Sequence, residues 1–550
     1  MRPRATLFAG ALALYCATLA PSLDWADAGR MQLDVVLGGS NYWFLPELSH
    51  APMDGGPFAR LGVTPWDHPL YIVLARGALL VPLGSPGLRL NLFSALIAAL
   101  AVALAYPLAR RLGADRTGAA LGALALAVSH TFWWHAVTTE VLALHCLFMI
   151  AVISLSLRWL EHRRVTDLRW LAFISGLGLA NHVMLVLTLI PTAGYLIWEG
   201  GGTRRPTMMQ TTAVIGAFLA GFAPWWIQFL RVARVIGLGP AFTAATWLPA
   251  LPDDTVAHAL AAVAINIVHY AGYLLYQFTP LGVALGILGF ATLRKTRPEA
   301  ATYLAWLFGT HVAFSLNFPF EDRFAFHLPS YLVFALCIGV GATRAIATVQ
   351  SGTRRVATLA ALGAAVVIAP IALYQAAPSA LRAAGIDDAD LGIPDIGPGG
   401  RARDGLAYFL NPNKHGDHSA ERFARATLAK LKANAVVIAP RPDLEVSMVL
   451  RYVQVVEGVR PDVYVDPLGF VAMPLMPHVL AVKARTVSPC RPFYVPTMTA
   501  RAYSAEMRRE FRVFPDANLY RVQPRHPSAG TCAEPYQPQT LAQVIDAVLR

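Results

Sequence analysis

The sequence predicts a polytopic, mainly α-helical membrane protein with a small α/β domain at its C-terminal end. Of its 550 residues, 56% are hydrophobic and only 14% are charged, a composition that fits neither a soluble enzyme nor a disordered chain. The net charge of +12 comes from short basic clusters between apolar runs. That distribution is typical of the cytoplasmic loops of membrane proteins and gives no indication of nucleic-acid binding.

The basic clusters also predict which segments cross the membrane. If every cluster is cytoplasmic, an even number of crossings separates each pair. With roughly 20 residues per span, this gives about eleven transmembrane helices, with the N-terminus inside and the C-terminus outside. The predicted spans are Thr6–Leu23, Asn91–Leu108, two between Arg116 and Arg158, a hairpin over Trp170–Trp198 turning at Asn181 and His182, Gln210–Leu230, Thr279–Leu293, Ala300–Leu316, Leu328–Val349 and Val356–Tyr374.

Three apolar segments are ambiguous by length alone. The first, Thr6–Leu23, has no small-residue cleavage site before Asp24, so we interpret it as a retained anchor rather than a signal peptide. If Pro69–Leu83 or His258–Tyr276 crossed the membrane, the basic clusters on its two sides would no longer all be cytoplasmic. We therefore expect both to lie along the outer surface of the membrane.

The composition changes near Ala377, which divides the chain into a membrane domain (residues 1–376, with a first outer loop at 24–90) and an extracytoplasmic domain (residues 377–550). Val436–Ala439 and Asp462–Val465 are β-branched runs on either side of an amphipathic helix, Leu444–Val456. This pattern predicts a βαβ unit and hence an α/β domain. Because no glycine-rich loop follows the first strand, nucleotide binding is disfavoured.

The five cysteines divide into two groups. Cys16, Cys146 and Cys337 lie in apolar segments and are expected to be packing residues. Cys490 and Cys532 lie in the C-terminal domain, where they form either a disulfide or two free thiols.

The predicted topology places most of the polar residues near the membrane on its outer side. Ionisable residues beside a bilayer are costly unless they face water, a partner or a substrate. Their shared side therefore indicates a polar site at the outer end of the helices. The residues concerned are Asp24, Asp27, His68, Glu140, Asn181, His182, Asp322 and Arg323.

Two carboxylates begin the first outer loop. Asp24 or Asp27 is suited to act as a general base that deprotonates an acceptor hydroxyl at the membrane surface. The alternative is a pair of solvated residues at a helix end. His68 is suited to bind a phosphate or orient the base, and is equally consistent with a structural histidine.

The remaining outer residues have similar alternatives. Glu140 follows an aromatic segment and is either a site residue or a solvated helix start, and Asn181 and His182 are either site residues or caps of a hairpin. Arg323 is the best outer cation for a lipid phosphate, because a guanidinium binds phosphate oxygens in a fork. It is also consistent with a salt bridge to Glu321 or Asp322.

The order of several motifs resembles one bacterial membrane family. DAGR, LGVTPWDHPLY, RLNLFSALIAALAVALAYPLARRLG, FWWHAVTTEVLALH, GLANH and VQVVEGVRPDVYV occur in that order between Thr6 and Asp466. The sequence is in this respect similar to the domain of unknown function 2723 family, which is related to the transmembrane-protein-260-type protein O-mannosyltransferases. The resemblance implies a GT-C fold and the use of a polyprenyl-phosphate sugar at an extracytoplasmic site.

The resemblance also implies roles for single residues, with some departures. The acidic base of the family falls on Asp27, while Arg30 replaces the Glu that usually follows three positions later. This replacement puts a cation next to the base, where it would suit the donor phosphate. The histidine of the family's first-loop motif is displaced to His68, and Glu140 falls on the acidic residue of a second motif.

The sequence thus predicts a membrane glycosyltransferase of a bacterial inner membrane, with a periplasmic C-terminal domain. It would move a mannose-like sugar from a lipid-linked donor to an extracytoplasmic acceptor, possible acceptors being protein Ser/Thr or a glycan. One alternative is a GT-C transferase that modifies lipid or polysaccharide, and another outside the enzymes is a transporter or flippase of lipid-linked sugars. Asp27 and Asp24 are the catalytic candidates. Substrate binding is assigned to Arg30, His68, Glu140, His182, Asp322 and Arg323; no residue spacing demands a metal, and the use of a divalent ion stays open.

Overall fold

The computed structural model describes residues 2–38, 68–200, 207–239, 242, 255–317, 323–349, 352–393, 396–400, 402–440, 444–468, 476–498 and 505–526. Within these residues most of the chain is helical, as predicted. The predicted site residue Asp322 and the cysteine Cys532 lie outside the described residues.

The helices of the membrane part follow one another with short connections. Two short segments depart from α-helical hydrogen bonding: a 3₁₀ turn at Val183–Leu185 and a π-helical segment at Ala364–Ile368. The helices are α1 (Arg2–Ala17), α2 (Ala26–Leu37), α3 (Pro69–Ala78), α4 (Pro86–Arg111), α5 (Arg116–Val128), α6 (His130–Val137), α7 (Leu142–His162), α8 (Val165–Asn181), α9 (Val186–Gly200), α10 (Met208–Gly221), α11 (Ala223–Ile236), α12 (Thr255–Thr296), α13 (Pro298–Leu316), α14 (Arg323–Phe326), α15 (Leu328–Ala347), α16 (Thr353–Gly363) and α17 (Ala369–Ala383).

Among the described residues, six helical segments are long and apolar enough to cross a membrane, and a seventh if α10 and α11, bent by 58°, form one span. Helices α1, α5, α8 and α13 occupy the other predicted spans. Three of these are short: α1, α5 and α8 have 16, 13 and 17 residues. The protein is therefore an integral membrane protein with six to seven clear spans, and the count of about eleven stays a prediction.

Several local predictions can be compared directly with the helices. The chain between α8 and α9 turns at the extended residue His182, and Arg163 Nη2 donates to the carbonyl of Glu199 at 3.1 Å. The start of α8 therefore lies beside the end of α9, as a hairpin requires. The segment predicted to lie along the outer surface before Thr279 is instead continuous with the next span in α12, and the two halves meet at a non-helical Thr279 just before Pro280.

Close helix packing in the bundle depends on glycine. A Cβ at Gly289 of α12 would collide with the carbonyl oxygen of Cys337 in α15, and a Cβ at Gly341 of α15 would collide with the carbonyl oxygen of Leu285. Small residues let helix backbones approach closely where lipid supplies no hydrophobic drive for association. The close approach of α12 and α15 thus requires glycine at positions 289 and 341.

The C-terminal part contains the predicted βαβ unit. Strand β1 pairs in parallel with β2 in the register Val436↔Tyr464, and the sheet has the order β2-β1-β3-β5-β4. The elements of this part are α18 (Gly405–Leu410), α19 (Ser419–Lys430), β1 (Val436–Pro440), α20 (Leu444–Glu457), β2 (Tyr464–Leu468), α21 (Met476–Val487), β3 (Phe493–Val495), α22 (Ala505–Glu510), β4 (Phe511–Asp516) and β5 (Leu519–Pro524). Cys490, just before β3, is disulfide-bonded.

Helix α2 joins the two parts of the molecule. Leu33 on one side of α2 belongs to the core that also contains Tyr408 and Val449 of the C-terminal part, whereas Met31 and Val35 belong to the core of the membrane helices. A Cβ at Gly29 would collide with the carbonyl oxygen of Asp24. The described start of the first outer loop is therefore a helix packed between the bundle and the α/β domain.

Candidate active site around helix α2

Helix α2 carries a stripe of charged residues. Asp27 lies in its first turn, where a carboxylate interacts favourably with the helix dipole. Asp27, Arg30 and Asp34 are spaced i, i+3 and i+7, and therefore share one face of the helix. The helix ends at Gly38, which adopts the left-handed conformation with φ 81°.

Arg30 lies between the two carboxylates of this stripe. Its Nε is 3.9 Å from an oxygen of Asp27 and 3.9 Å from an oxygen of Asp34. The Asp34 side chain is 5% exposed, but the Asp27 side chain is 59% exposed. Asp27 is therefore the carboxylate of this stripe that solvent and a substrate can reach.

His68 packs beside Arg30 in a constrained conformation. It precedes Pro69 and has φ 55° and ψ 52°, in the left-handed region. For any residue other than glycine, this conformation is energetically unfavourable. Its Nδ1 donates to the carbonyl oxygen of Asn181 at 2.7 Å, since a carbonyl can only accept. Burial, then His182 and Arg30, hold the pKa of His68 well below its ordinary value, so the ring is neutral and presents Nε2 as an acceptor.

His182 stacks on His68, with ring centroids 4.8 Å apart. Its Nδ1 accepts the backbone N–H of Met184 at 3.0 Å, so in the neutral ring the proton is on Nε2. Burial lowers the pKa of His182 to about 4. The two histidines therefore form a neutral, stacked wall beside the charged face of α2.

Glu140 is brought close to α2 by a buried polar network. Gln32 of α2 donates to Asn91 Oδ1 at 3.0 Å and to Thr139 Oγ1 at 3.2 Å, and Thr139 donates to Asn91 at 2.6 Å. The backbone N–H of Glu140 donates to Ser94 Oγ at 3.2 Å. The segment that carries Glu140 is thus joined to the helix that carries Asp27.

Arg323 begins the short helix α14, whose last residue approaches the histidine pair. Its guanidinium donates a short hydrogen bond to Asn266 Oδ1. Phe326, in the same short helix α14, approaches the His182 ring with centroids 6.4 Å apart. The structure therefore places Arg30 beside Asp27 and His68, and His68 against His182. Glu140 is joined to α2 through its neighbour Thr139, and Arg323 is related to the histidines only through Phe326 of the same helix.

Asp24 is in a different environment from Asp27. It is 3% exposed, and its Oδ1 accepts the backbone N–H of Trp25 at 2.8 Å. Burial raises its pKa to about 6, while the nearby Lys414 opposes the shift. Burial lowers the pKa of Lys414 to about 8, and Asp24 opposes that shift in turn. Asp24 therefore belongs to a buried charged cluster shared with the α/β domain.

Two further charged residues of the α/β domain complete this cluster, which sequence reasoning missed. Arg403 Nη1 donates to Glu445 Oε2 at 2.7 Å, and both side chains are buried. No local signal marks them, because the residues of the first loop that they contact, Ala26 for Glu445 and Trp25 for Arg403, are about 380 to 420 positions away in the sequence. Asp34 was also missed as a site residue, although its spacing from Asp27 and Arg30 would have indicated it once α2 was recognised as a helix.

The described residues contain no group of three or more His, Cys, Asp or Glu side chains arranged to hold a metal ion. The polar groups around α2 are instead the exposed carboxylate of Asp27, the buried carboxylate of Asp34, the guanidinium of Arg30 between them and two neutral imidazoles. Such a set can accept a proton at Asp27 and can bind an anion at Arg30.

The fold and this site together define an integral membrane protein of the GT-C class. The apo structure of ArnT from Cupriavidus metallidurans superimposes with a TM-score of 0.53, covering 94% of this chain and 97% of that one at 14% identity. At this identity the likeness establishes the fold alone, and the predicted GT-C architecture is confirmed.

Sequence comparison gives the nearer relationship. Residues 61–200 match the family model of the Protein O-mannosyl-transferase TMEM260 N-terminal domain. The mouse (Mus musculus) Protein O-mannosyl-transferase TMEM260 is 26% identical over 231 residues, which are 41% of this chain. The match spans 30% of the length of the mouse protein. The resemblance predicted from the motifs is thereby confirmed for this part of the chain.

Proposed function

We propose that this protein is a membrane glycosyltransferase that moves a mannose-like sugar from a polyprenyl-phosphate donor to a hydroxyl of an extracytoplasmic acceptor. The observation that carries the proposal is the pairing of Asp27, an exposed carboxylate in the first turn of α2, with Arg30 beside the stacked histidines. Relationship to an O-mannosyl-transferase and the GT-C fold support the same class of reaction.

Asp27 acts as the general base in this proposal. As the acceptor oxygen forms its bond to the anomeric carbon, Asp27 takes the hydroxyl proton, and the bond between that carbon and the donor phosphate oxygen breaks. The electron pair leaves with the lipid phosphate, which is already a good leaving group and needs no strong general acid. A positioned base of this kind contributes about 10²- to 10⁴-fold to a rate.

The basic residues meet the charge of the donor. Arg30 is close to Asp27, so it can bind the donor phosphate while Asp27 takes the proton of the acceptor hydroxyl. Arg323 is proposed to bind the same charge, and Asp322, which lies outside the described residues, stays a candidate for substrate binding. A guanidinium placed where negative charge develops stabilises the transition state more than the ground state.

The stacked histidines His68 and His182, together with Glu140, orient the sugar and the acceptor. His68 presents Nε2 as a hydrogen-bond acceptor, and His182 presents Nε2–H as a donor. The half-buried Glu140 adds a carboxylate next to Thr139, the residue that accepts a hydrogen bond from Gln32 of α2. Positioning of this kind contributes as much to the rate as the base itself.

The direct test is donor turnover by the purified, full-length protein. We would incubate it in detergent with polyprenyl-phosphate mannose, polyprenyl-phosphate glucose and a Ser/Thr-rich peptide, and measure release of polyprenyl phosphate and labelling of the peptide. Release from one donor that requires the protein supports the proposal. Complete stability of every donor, with intact folded protein, would contradict it.

The acceptor is found by comparing cells. Mass spectrometry of secreted and envelope proteins, and of envelope glycans, from a deletion strain and its parent would show which hexose modification disappears. Loss from Ser/Thr peptides identifies a protein acceptor, and loss from a glycan or lipid identifies the other acceptor class. If the deletion strain lost no modification, the proposed transfer to an extracytoplasmic acceptor would be wrong.

A further inference from the structure

The α/β domain contacts the start of α2 at the residue before the candidate base. Glu445 Oε2 accepts the backbone N–H of Ala26 at 3.1 Å and also accepts from Arg403 Nη1 at 2.7 Å. One carboxylate oxygen therefore connects the first turn of α2 to a buried guanidinium of the other domain.

Ala26 needs such support, because its backbone is strained. It has φ 55°, in the left-handed region that residues other than glycine enter at a cost. Strained residues of this kind persist where surrounding contacts over-determine them. The bond to Glu445 is one of those contacts, and it is one residue away from Asp27.

Neighbouring contacts fix the same turn from the same side. Trp25 Nε1 donates to Ser419 Oγ at 2.8 Å, and the Tyr408 hydroxyl donates to the Trp25 carbonyl at 3.4 Å. The Arg403 guanidinium stacks over the Trp25 ring, 5.6 Å from its centroid. All of these groups belong to the α/β domain, so the domain holds the turn as a unit.

From these contacts we propose that Glu445 and Arg403 are positioning residues for the transfer reaction, which hold Asp27 in place through the first turn of α2. The inference rests on the proposed function of Asp27. It assigns a role to the α/β domain, which completes the active site without touching the substrate. A displacement of about 1 Å in a reacting group is enough to reduce a rate about 100-fold, so loss of this support has a kinetic effect.

The experiment compares Glu445→Ala and Glu445→Gln with a control on the same helix. Glu457 of α20 also forms an ion pair, with Arg425 at 2.7 Å, but the bond is at the other end of α20, between α20 and α19. Glu457→Ala therefore removes an ion pair of the same length from the same helix, at a more exposed position and without touching α2. Each variant is purified as the full chain, and kcat and the donor KM are measured with the donor that the wild type uses.

We expect Glu445→Ala to lower kcat at least about tenfold with little change in donor KM, since positioning is lost but donor binding is kept. Glu445→Gln retains an oxygen that can accept from Ala26 and should give an intermediate kcat. Glu457→Ala should turn over like the wild type. In hydrogen-exchange mass spectrometry, peptides covering residues 26–37 should exchange faster in Glu445→Ala, while the peptides of β1 and β2 stay protected.

A wild-type kcat in Glu445→Ala, unchanged exchange of residues 26–37, or an equal loss in Glu457→Ala would overturn the inference. If Glu445→Ala is not recovered folded, Glu445→Gln decides, and a wild-type kcat in that variant overturns it. If the wild type transfers no sugar, the proposed function fails, whereas the exchange measurement still shows whether Glu445 holds α2.

Discussion

Two aspartates three residues apart have opposite environments in this protein. Asp27 is more than half exposed at the start of α2, whereas Asp24 is buried beside Lys414 and under Tyr408. The proposed base has to reach an acceptor hydroxyl, and of the two aspartates only Asp27 is open to solvent. Asp24 instead contributes charge to the contact between the first loop and the α/β domain.

The buried Asp24 predicts a pH dependence of stability. Its pKa in the folded protein is raised from 3.8 to about 6, mainly by burial. The folded state therefore binds this proton more tightly than the unfolded state, and the associated stability is present below about pH 4 and lost as the pH rises through 6. The ionisation of Asp24 should therefore lower the melting temperature of the wild type between pH 4.5 and pH 7.5. Asp24→Asn should lack this contribution to the pH dependence.

The matched control is Asp462→Asn in the α/β domain. A hydrogen bond from Arg460 lowers the pKa of Asp462 to about 2, so its carboxylate is ionised across the whole range in both states. This variant should shift the melting temperature equally at pH 4.5 and pH 7.5. An Asp24→Asn protein with the wild-type pH dependence would show that Asp24 is not the buried titrating group.

At the scale of elements, the sequence predicted helices and strands best where periodicity was strong. The βαβ unit was predicted with ends within a few residues, and the break before Pro280 was located by the gap between two apolar segments. Helix α2 was not predicted. Its buried residues face two different cores, with Leu33 toward one and Val35 toward the other, so no single apolar stripe is visible in the sequence.

The glycine contacts between α12 and α15 predict that the stability of the protein depends strongly on side-chain size at these positions. Gly289→Ala places a methyl group against the Cys337 carbonyl and should separate the helices, lowering the melting temperature of the detergent-solubilised protein by several degrees. Gly272→Ala, on the same helix, meets no atom within 4 Å and should be neutral or stabilising. Equal stability of the two variants would contradict the close packing of these helices.

At the scale of the whole molecule, the contacts that complete the site join distant parts of the chain. The polar outer residues and the base candidates were found from topology and motifs. Glu445, Arg403 and Lys414 were not, because charged residues in a soluble α/β domain are usually on its surface. Glu445 contacts Ala26, Arg403 contacts Trp25 and Lys414 lies near Asp24. No pattern in either segment reveals these tertiary contacts.

The predicted orientation can be measured with single cysteines in a Cys16→Ser background. Cys16 is exposed, while Cys146 and Cys337 are buried. Ala433→Cys, at an exposed position before β1, should react with a membrane-impermeant maleimide in intact spheroplasts. His162→Cys, at the exposed C-terminal end of α7, should react only after permeabilisation, and the reverse pattern would invert the topology.

The most direct test of the central claim is sugar transfer by Asp27→Asn. The side chain is exposed and its ion-pair distance is long, so the variant should fold and melt like the wild type. Loss of the base should lower kcat by about 10²-fold or more while the donor KM changes little. Wild-type turnover by folded Asp27→Asn would remove Asp27 from the mechanism and contradict this account of the site.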